Sequence, residues 1–133
     1  MTPEQNANLA ISHIFMGLMK IDGAVTLEEE RKLQMLLRKL GHNLPGTPEG
    51  ILANIDEIQT DAELMAWAPE QHLEAAFVFF DEFVSSGEAT ADHTDAVIDL
   101  AEVLSEVDGV SPGEARYLQA LGHRFTQQYR TKR

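Results

Sequence analysis

Cysteine is absent from this chain of 133 residues. The absence excludes a thiolate nucleophile, a disulfide framework, an iron–sulfur cluster and a zinc site built on cysteine. No apolar run reaches the roughly 18 residues that mark a membrane-spanning helix. The opening segment, MTPEQNANLA, lacks the basic stretch followed by an apolar stretch that is typical of a secretory signal peptide. We therefore expect a soluble, cytoplasmic protein that does not span a membrane.

Basic residues are missing from the middle of the chain. Residues 40–115 contain 17 acids and no Lys or Arg, whereas the remaining residues carry 5 acids and all 10 bases. Because proteins bind phosphate backbones by neutralising them with Lys and Arg, this balance argues against a nucleic-acid partner. An acidic surface favours cations or basic protein segments, although acidic helix faces also keep a small protein soluble without any further role.

The residues that are present predict one all-α domain spanning residues 1–133. A hydrophobic content of 44% and a charged content of 24% are typical of a compact globular domain. Apolar residues recur at the spacing of a buried helix face, as at Ile11, Ile14, Phe15 and Leu18, and no segment alternates with the period of a strand. We expect a compact bundle of about seven helices.

Capping residues mark the predicted helix starts. Thr2, Thr26 and Ser111 each stand three residues before a Gln or Glu, which is the pattern of a capping box. Thr47 and Asp61 are expected to cap two short helices. Longer helices are expected over 69–86, from Gly87 to Val107, and over 112–129. The 69–86 helix holds four phenylalanines within seven residues, which we interpret as core residues of a central helix rather than as a partner-binding stripe.

An internal repeat relates the first and last helix pairs. Each copy contains a helix, an Asp-Gly turn, a Thr or Ser cap with Glu three residues later, and a second helix, which together form an αα-hairpin. Two such hairpins can pack about a pseudo-two-fold axis, which would bring the two turns into comparable environments. A shift of 86 residues aligns the first helix of one copy and its turn with those of the other. The aligned residues are Ile11, Ile14, Leu18, Ile21, Asp22 and Gly23 in the first copy and, in the same order, Val97, Leu100, Leu104, Val107, Asp108 and Gly109 in the second.

The two turns carry related motifs, DGAVTLEE over 22–29 and the shorter DGVSPGE over 108–114. With the all-helical character, they resemble the TerB-like family, named after tellurite-resistance proteins, over nearly the whole chain. The resemblance implies a compact all-α domain without enzymatic activity, found in bacterial stress-response and tellurite-resistance systems and in co-chaperones near membranes. It also implies that the acids of the motifs bind metal, and these acids are Asp22, Glu29, Asp108 and Glu114 in this chain.

These acids can be interpreted in two ways. Asp22 ends one helix and Glu29 begins the next, so the hairpin can bring both carboxylates to one end, near the Thr26 hydroxyl. A hard divalent cation such as calcium suits that oxygen cluster, but calcium takes roughly six to eight oxygens and needs more than one motif. The motif is not an EF-hand loop, because Gly directly follows the first Asp. Alternatively, Glu29 and Glu114 only complete capping boxes, and Asp22 and Asp108 only accept turn amides.

Sequence motifs for catalysis are absent. The five histidines form no HExxH, the glycines form no phosphate loop, and no serine lies in a GxSxG elbow. His72 lies between Glu70 and Glu74, but residues two apart do not share a helix face, so we expect it to be solvated rather than catalytic. We expect a non-enzymatic stress-response module that binds a divalent cation or a basic protein partner through an acidic face. The alternative is a helix-bundle adaptor without a metal site, which acts through an apolar groove or its basic tail.

Overall fold

A computed structural model describes residues 1–21, 26–106 and 111–126, and within these ranges the chain forms seven α-helices and no strand. The expected all-α bundle is therefore confirmed. No helix of the described ranges is long and apolar enough to cross a membrane. The predicted ends of the last two helices, at Val107 and Tyr129, lie outside the described residues. The helices are α1 (Pro3–Lys20), α2 (Leu27–Leu40), α3 (Pro48–Thr60), α4 (Ala62–Met65), α5 (Pro69–Ser85), α6 (Ala91–Glu106) and α7 (Pro112–Arg124), with a short 3-10 turn, Gly41–Asn43, after α2.

Helices α1, α2, α3, α4 and α7 begin where the capping residues predict, whereas α6 begins at Ala91, a few residues later than the start expected after Gly87. The Thr2 hydroxyl accepts the Gln5 N–H at 3.1 Å, and the Gln5 side chain accepts the Thr2 N–H at 2.8 Å. The side chains of Thr47 and Asp61 accept first-turn amides of α3 and α4 in a similar way. One such cap stabilises a helix by about 1 kcal/mol. This contribution matters most for α4, because that helix has only four residues.

Helix α1 lies at the centre of the bundle. Residues 6–19 include no Asp, Glu, Lys or Arg, and twelve residues of α1 are buried. A helix that is apolar on every side must be covered on every side, and α5, α3 and α6 all pack against α1. The prediction that α5 is the central helix is therefore wrong. Helix α5 is the main cover of α1, and it keeps an exposed face of its own.

The phenylalanines of α5 belong to the core, as expected. Phe80 and Phe83 are buried, and the Phe80 ring stacks on Phe125 with 4.7 Å between centroids. Phe77 is half-buried, and the Arg124 guanidinium lies 4.6 Å from its ring centroid. Aromatic pairs at such distances contribute about 1 kcal/mol beyond the area that they bury. These contacts fix the C-terminal part of α7 on α5.

The packing of the two hairpins agrees with the internal repeat. Helix α2 lies against α6, and α7 lies against α1, where the Tyr117 hydroxyl donates a 2.7 Å hydrogen bond to the Ile14 carbonyl. The second helix of each hairpin thus packs on the first helix of the other. This exchange is what a pseudo-two-fold relation between the hairpins predicts. Of the remaining helices, α3 and α5 cover the sides of α1 that the hairpins leave open.

Candidate functional site

Glu29 of the first motif forms the predicted capping box. Its Oε1 accepts the Thr26 N–H at 3.1 Å and also accepts the Thr26 hydroxyl at 3.1 Å. The Thr26 hydroxyl oxygen in turn accepts the Glu29 N–H at 3.1 Å. Glu29 is half-buried. One carboxylate oxygen serves the cap, and a carboxylate has a second oxygen that can bind elsewhere.

Glu114 repeats this arrangement at the start of α7. Its Oε1 accepts the Ser111 N–H at 3.3 Å, and the Ser111 hydroxyl accepts the Glu114 N–H at 3.2 Å. The other two predicted ligands, Asp22 and Asp108, lie outside the described residues. Within the part of the chain that is described, no three His, Asp or Glu side chains are placed to hold one metal ion. The predicted capping boxes of Glu29 and Glu114 are confirmed, and the metal site stays a prediction.

The C-terminus of α1 lies against the N-terminus of α7. Ile21 directly precedes the first Asp-Gly turn, and Gly113 lies in the first turn of α7, just after the second. The Ile21 side chain packs so closely on Gly113 that a Cβ at position 113 would lie 2.8 Å from Ile21 Cγ2. The last described residue before the first motif therefore lies against the first turn of α7.

A cleft of about 540 Å³ opens beside this contact. It lies among the C-terminus of α1 and the N-terminal parts of α5 and α7, and both Ile21 and Gly113 line it. Its wall combines apolar and charged side chains, which is typical of a groove that holds a short segment or a small ligand. The residues that carry this mixed character are Ile21, Leu73, Tyr117, Lys20, Glu70 and Arg116.

Lys20 connects the cleft to a buried cluster. Its Nζ donates to the carbonyl oxygens of Leu64, Met65 and Trp67 at 3.0, 3.2 and 3.3 Å, and lies 2.7 Å from His72 Nε2. The ammonium group thereby closes the C-terminal end of α4, whose last carbonyls have no partner within the helix. Burial lowers the pKa of Lys20 below its ordinary value.

His72 and His13 form the inner part of this cluster. Their Nδ1 atoms lie 3.0 Å apart, His72 is fully buried, and His13 is 4% exposed. Each ring nitrogen of His72 thus lies within hydrogen-bond distance of a neighbouring side chain, Nε2 of Lys20 Nζ and Nδ1 of His13 Nδ1. The three residues form one continuous polar cluster.

The environment keeps both rings neutral. Burial lowers the pKa of His13 from 6.5 to about 4, with a smaller effect from the charge of Lys20. Burial, followed by the charges of Lys20 and then His13, lowers the pKa of His72 from 6.5 to about 4. Trp67 and Phe79 stack on the His13 ring, with centroids 5.8 and 5.9 Å away. An apolar, aromatic enclosure of this kind disfavours a charged imidazole.

The expectation that His72 is solvated is wrong. Glu70 and Glu74 are exposed, as their spacing predicts, whereas His72 faces the opposite side of α5 and contacts α1. The sequence did contain a signal for the cluster. His13 lies inside the uncharged stretch 6–19, and a polar ring in a helix that is buried all round needs a hydrogen-bond partner. The identity of that partner, 59 residues away, is not visible in any local pattern.

Comparison of the chain with protein-family models, curated proteins and solved structures finds no significant match. The resemblance to the TerB-like family therefore rests on the two turn motifs and the helical character of the chain alone.

Proposed function

We propose that this chain is a non-enzymatic binding module that resembles TerB and holds a divalent cation, such as calcium, between its two Asp-Gly turns. The packing of Ile21 on Gly113 carries this proposal, because it brings the attachment points of both turns to one end of the bundle. The ligands are the four acids of the motifs, Asp22, Glu29, Asp108 and Glu114. On the resemblance alone, we also propose a role in bacterial stress response, including resistance to tellurite.

The chemistry of the site follows from the ligand count. Calcium takes roughly six to eight oxygens, which exceeds what the acids of one motif supply. In this proposal the two motifs together provide four carboxylates, and water or backbone carbonyls complete the shell. The capping boxes hold Glu29 and Glu114 at fixed positions in the first turns of α2 and α7. Preorganised carboxylates lose less conformational freedom on binding, which favours affinity.

Calorimetric titration tests this proposal. We expect one calcium per chain, with a Kd on the order of 10⁻⁴ M. Asp22→Asn should weaken binding by at least about tenfold, which corresponds to about 1.4 kcal/mol. Glu29→Gln should weaken binding similarly while leaving the free energy of unfolding within about 0.5 kcal/mol, because Gln also completes a capping box. Helix α1 uses Gln5 for this purpose.

A matched control separates specific binding from general attraction to an acidic surface. Asp99 is exposed on α6, and Asp99→Asn removes the same charge as Asp22→Asn. The control should bind calcium as the unmodified chain does. Absence of binding at millimolar calcium, magnesium, manganese or zinc would contradict the proposal, as would an equal loss in the control.

The cleft favours a second candidate function. A helix-bundle adaptor would hold a segment of a protein partner in the groove between Lys20, Glu70 and Arg116. For this candidate, Arg116→Ala should impair capture of the partner, and the titration above should show no metal. Because Lys20 and Arg116 supply two of these three charges, the groove favours an acidic segment of the partner. On the family resemblance alone, we propose that this partner is membrane-associated.

A further inference from the structure

The exposed face of α2 combines basic and apolar side chains. Arg31 and Lys39 are exposed, and Met35 between them is 48% exposed. We name these residues, spaced four apart, the α2 row. Leu27, near the start of the helix, extends the apolar part with 63% exposure. A helix that packs on this face would cover these apolar side chains and would meet the two cations.

The exposed face of α5 has the opposite charge at the same spacing. Glu74 and Glu82 are exposed, and Val78 between them is 62% exposed. We name these three residues the α5 row. Four helical residues correspond to a rise of about 6 Å, so each row extends over about 12 Å. The α5 row thus matches the α2 row in length, in spacing and in the position of its apolar residue.

We propose that the α2 row of one copy of this chain docks on the α5 row of a second copy. In that contact, Met35 packs on Val78, and Arg31 and Lys39 each lie opposite Glu74 or Glu82. Charge complementarity favours a second copy as the partner. The chain has a net charge of -12, yet α2 presents a basic row, and the acidic α5 row that matches it is on the same molecule. The contact involves neither Asp-Gly turn and does not depend on the cation site.

The proposed association is weak. Exposed ion pairs contribute at most about 1 kcal/mol each, and one helix pair buries less area than a standard interface. We therefore expect a Kd on the order of 10⁻⁴ M. Each contact joins two different surfaces. If a two-fold axis relates two copies, both contacts form within one dimer; otherwise, repetition of the contact gives a ring or an open chain of copies.

Sedimentation equilibrium with charge-reversed variants tests the proposal. The first variant combines Arg31→Glu with Lys39→Glu, and the second combines Glu74→Lys with Glu82→Lys. Each variant alone carries two like-charged rows and should associate at least about tenfold more weakly than the unmodified chain. An equimolar mixture should associate again, because the α5 row of the first variant then meets the α2 row of the second. All six row positions are exposed, so thermal melting should confirm that the variants remain folded.

A control variant shows whether the loss of association is specific to the two rows. Asp99→Lys combined with Glu102→Lys changes two exposed acids of α6 and should leave association unchanged. The proposal is overturned if the unmodified chain stays monomeric at about 1 mM, if the mixture fails to associate, or if the α6 control loses association equally. Binding of the monomer to vesicles of anionic lipid, abolished by the α2 reversal, would identify a membrane as the occupant and would equally overturn the proposal.

Discussion

Replacing Gly17 by Ala should destabilise the bundle by about 2–4 kcal/mol, which is opposite to the usual effect of this change in a helix. A Cβ at position 17 would overlap the Tyr117 hydroxyl oxygen and would lie 2.9 Å from the Pro69 carbonyl oxygen. The Tyr117 hydroxyl cannot move away without losing its buried hydrogen bond to Ile14. A buried hydroxyl left without a partner costs about 1–3 kcal/mol. Urea denaturation followed by circular dichroism measures the effect.

Gly122→Ala is the matched control for this prediction. Gly122 lies in α7, and a Cβ there would meet no atom within 4 Å. The change should therefore stabilise the chain by up to about 1 kcal/mol, since Ala loses less conformational freedom than Gly on folding. In a Tyr117→Phe background, Gly17→Ala should cost at least about 1 kcal/mol less, because the hydroxyl is gone. Equal effects of alanine at positions 17 and 122 would contradict the packing of α7 on α1.

The buried histidine pair should make the chain sensitive to acid. The pKa of each ring is about 4 in the folded state and near 6.5 in the unfolded chain. Between these values the unfolded chain binds more protons, so stability rises with pH, is complete above 6.5, and is lost as pH falls toward 4. Each histidine contributes a slope of about 1.4 kcal/mol per pH unit. We expect the free energy of unfolding to fall by about 2–4 kcal/mol between pH 7 and pH 5.

The slope can be assigned to the cluster with two variants. His13→Asn keeps a polar side chain at this position and removes one titrating ring, so it should roughly halve the slope. Ile55→Val shortens a buried side chain that does not titrate. It should lower stability by about 1 kcal/mol at every pH and keep the slope. A slope unaffected by His13→Asn would show that groups outside the cluster cause the acid sensitivity.

The helix starts could be predicted from the sequence because capping is local. Thr2 and Gln5, or Thr26 and Glu29, recognise each other across three residues, so the pattern and the contact coincide. The central position of α1 in the bundle could not be predicted from such a local pattern. The wide apolar face of α5 suggested a central helix, but the absence of charge from residues 6–19 was the stronger indication of complete burial.

The histidine cluster shows the limit of local patterns. The sequence placed His72 beside Glu70 and Glu74, and those neighbours favoured a solvated face. The environment of His72 is set instead by His13 and Lys20, which are 59 and 52 residues away. The cleft likewise depends on tertiary packing, because its wall is formed by α1, α5 and α7, which are far apart in the sequence. Residues that tertiary packing brings together have no fixed separation in the sequence, so a local pattern cannot predict their contact.

Manganese titration of the nitrogen-15-labelled chain, followed by NMR, tests most directly whether the two turns share one cation. Bound Mn²⁺ broadens the amide signals of nearby residues. We predict that the amides of Ile21 and Gly113 broaden together at the lowest metal concentrations. They should do so before the amides of exposed acids such as Asp56 and Glu74. Broadening of only one of the two amides, or broadening spread evenly over the acidic helices, would contradict a shared site.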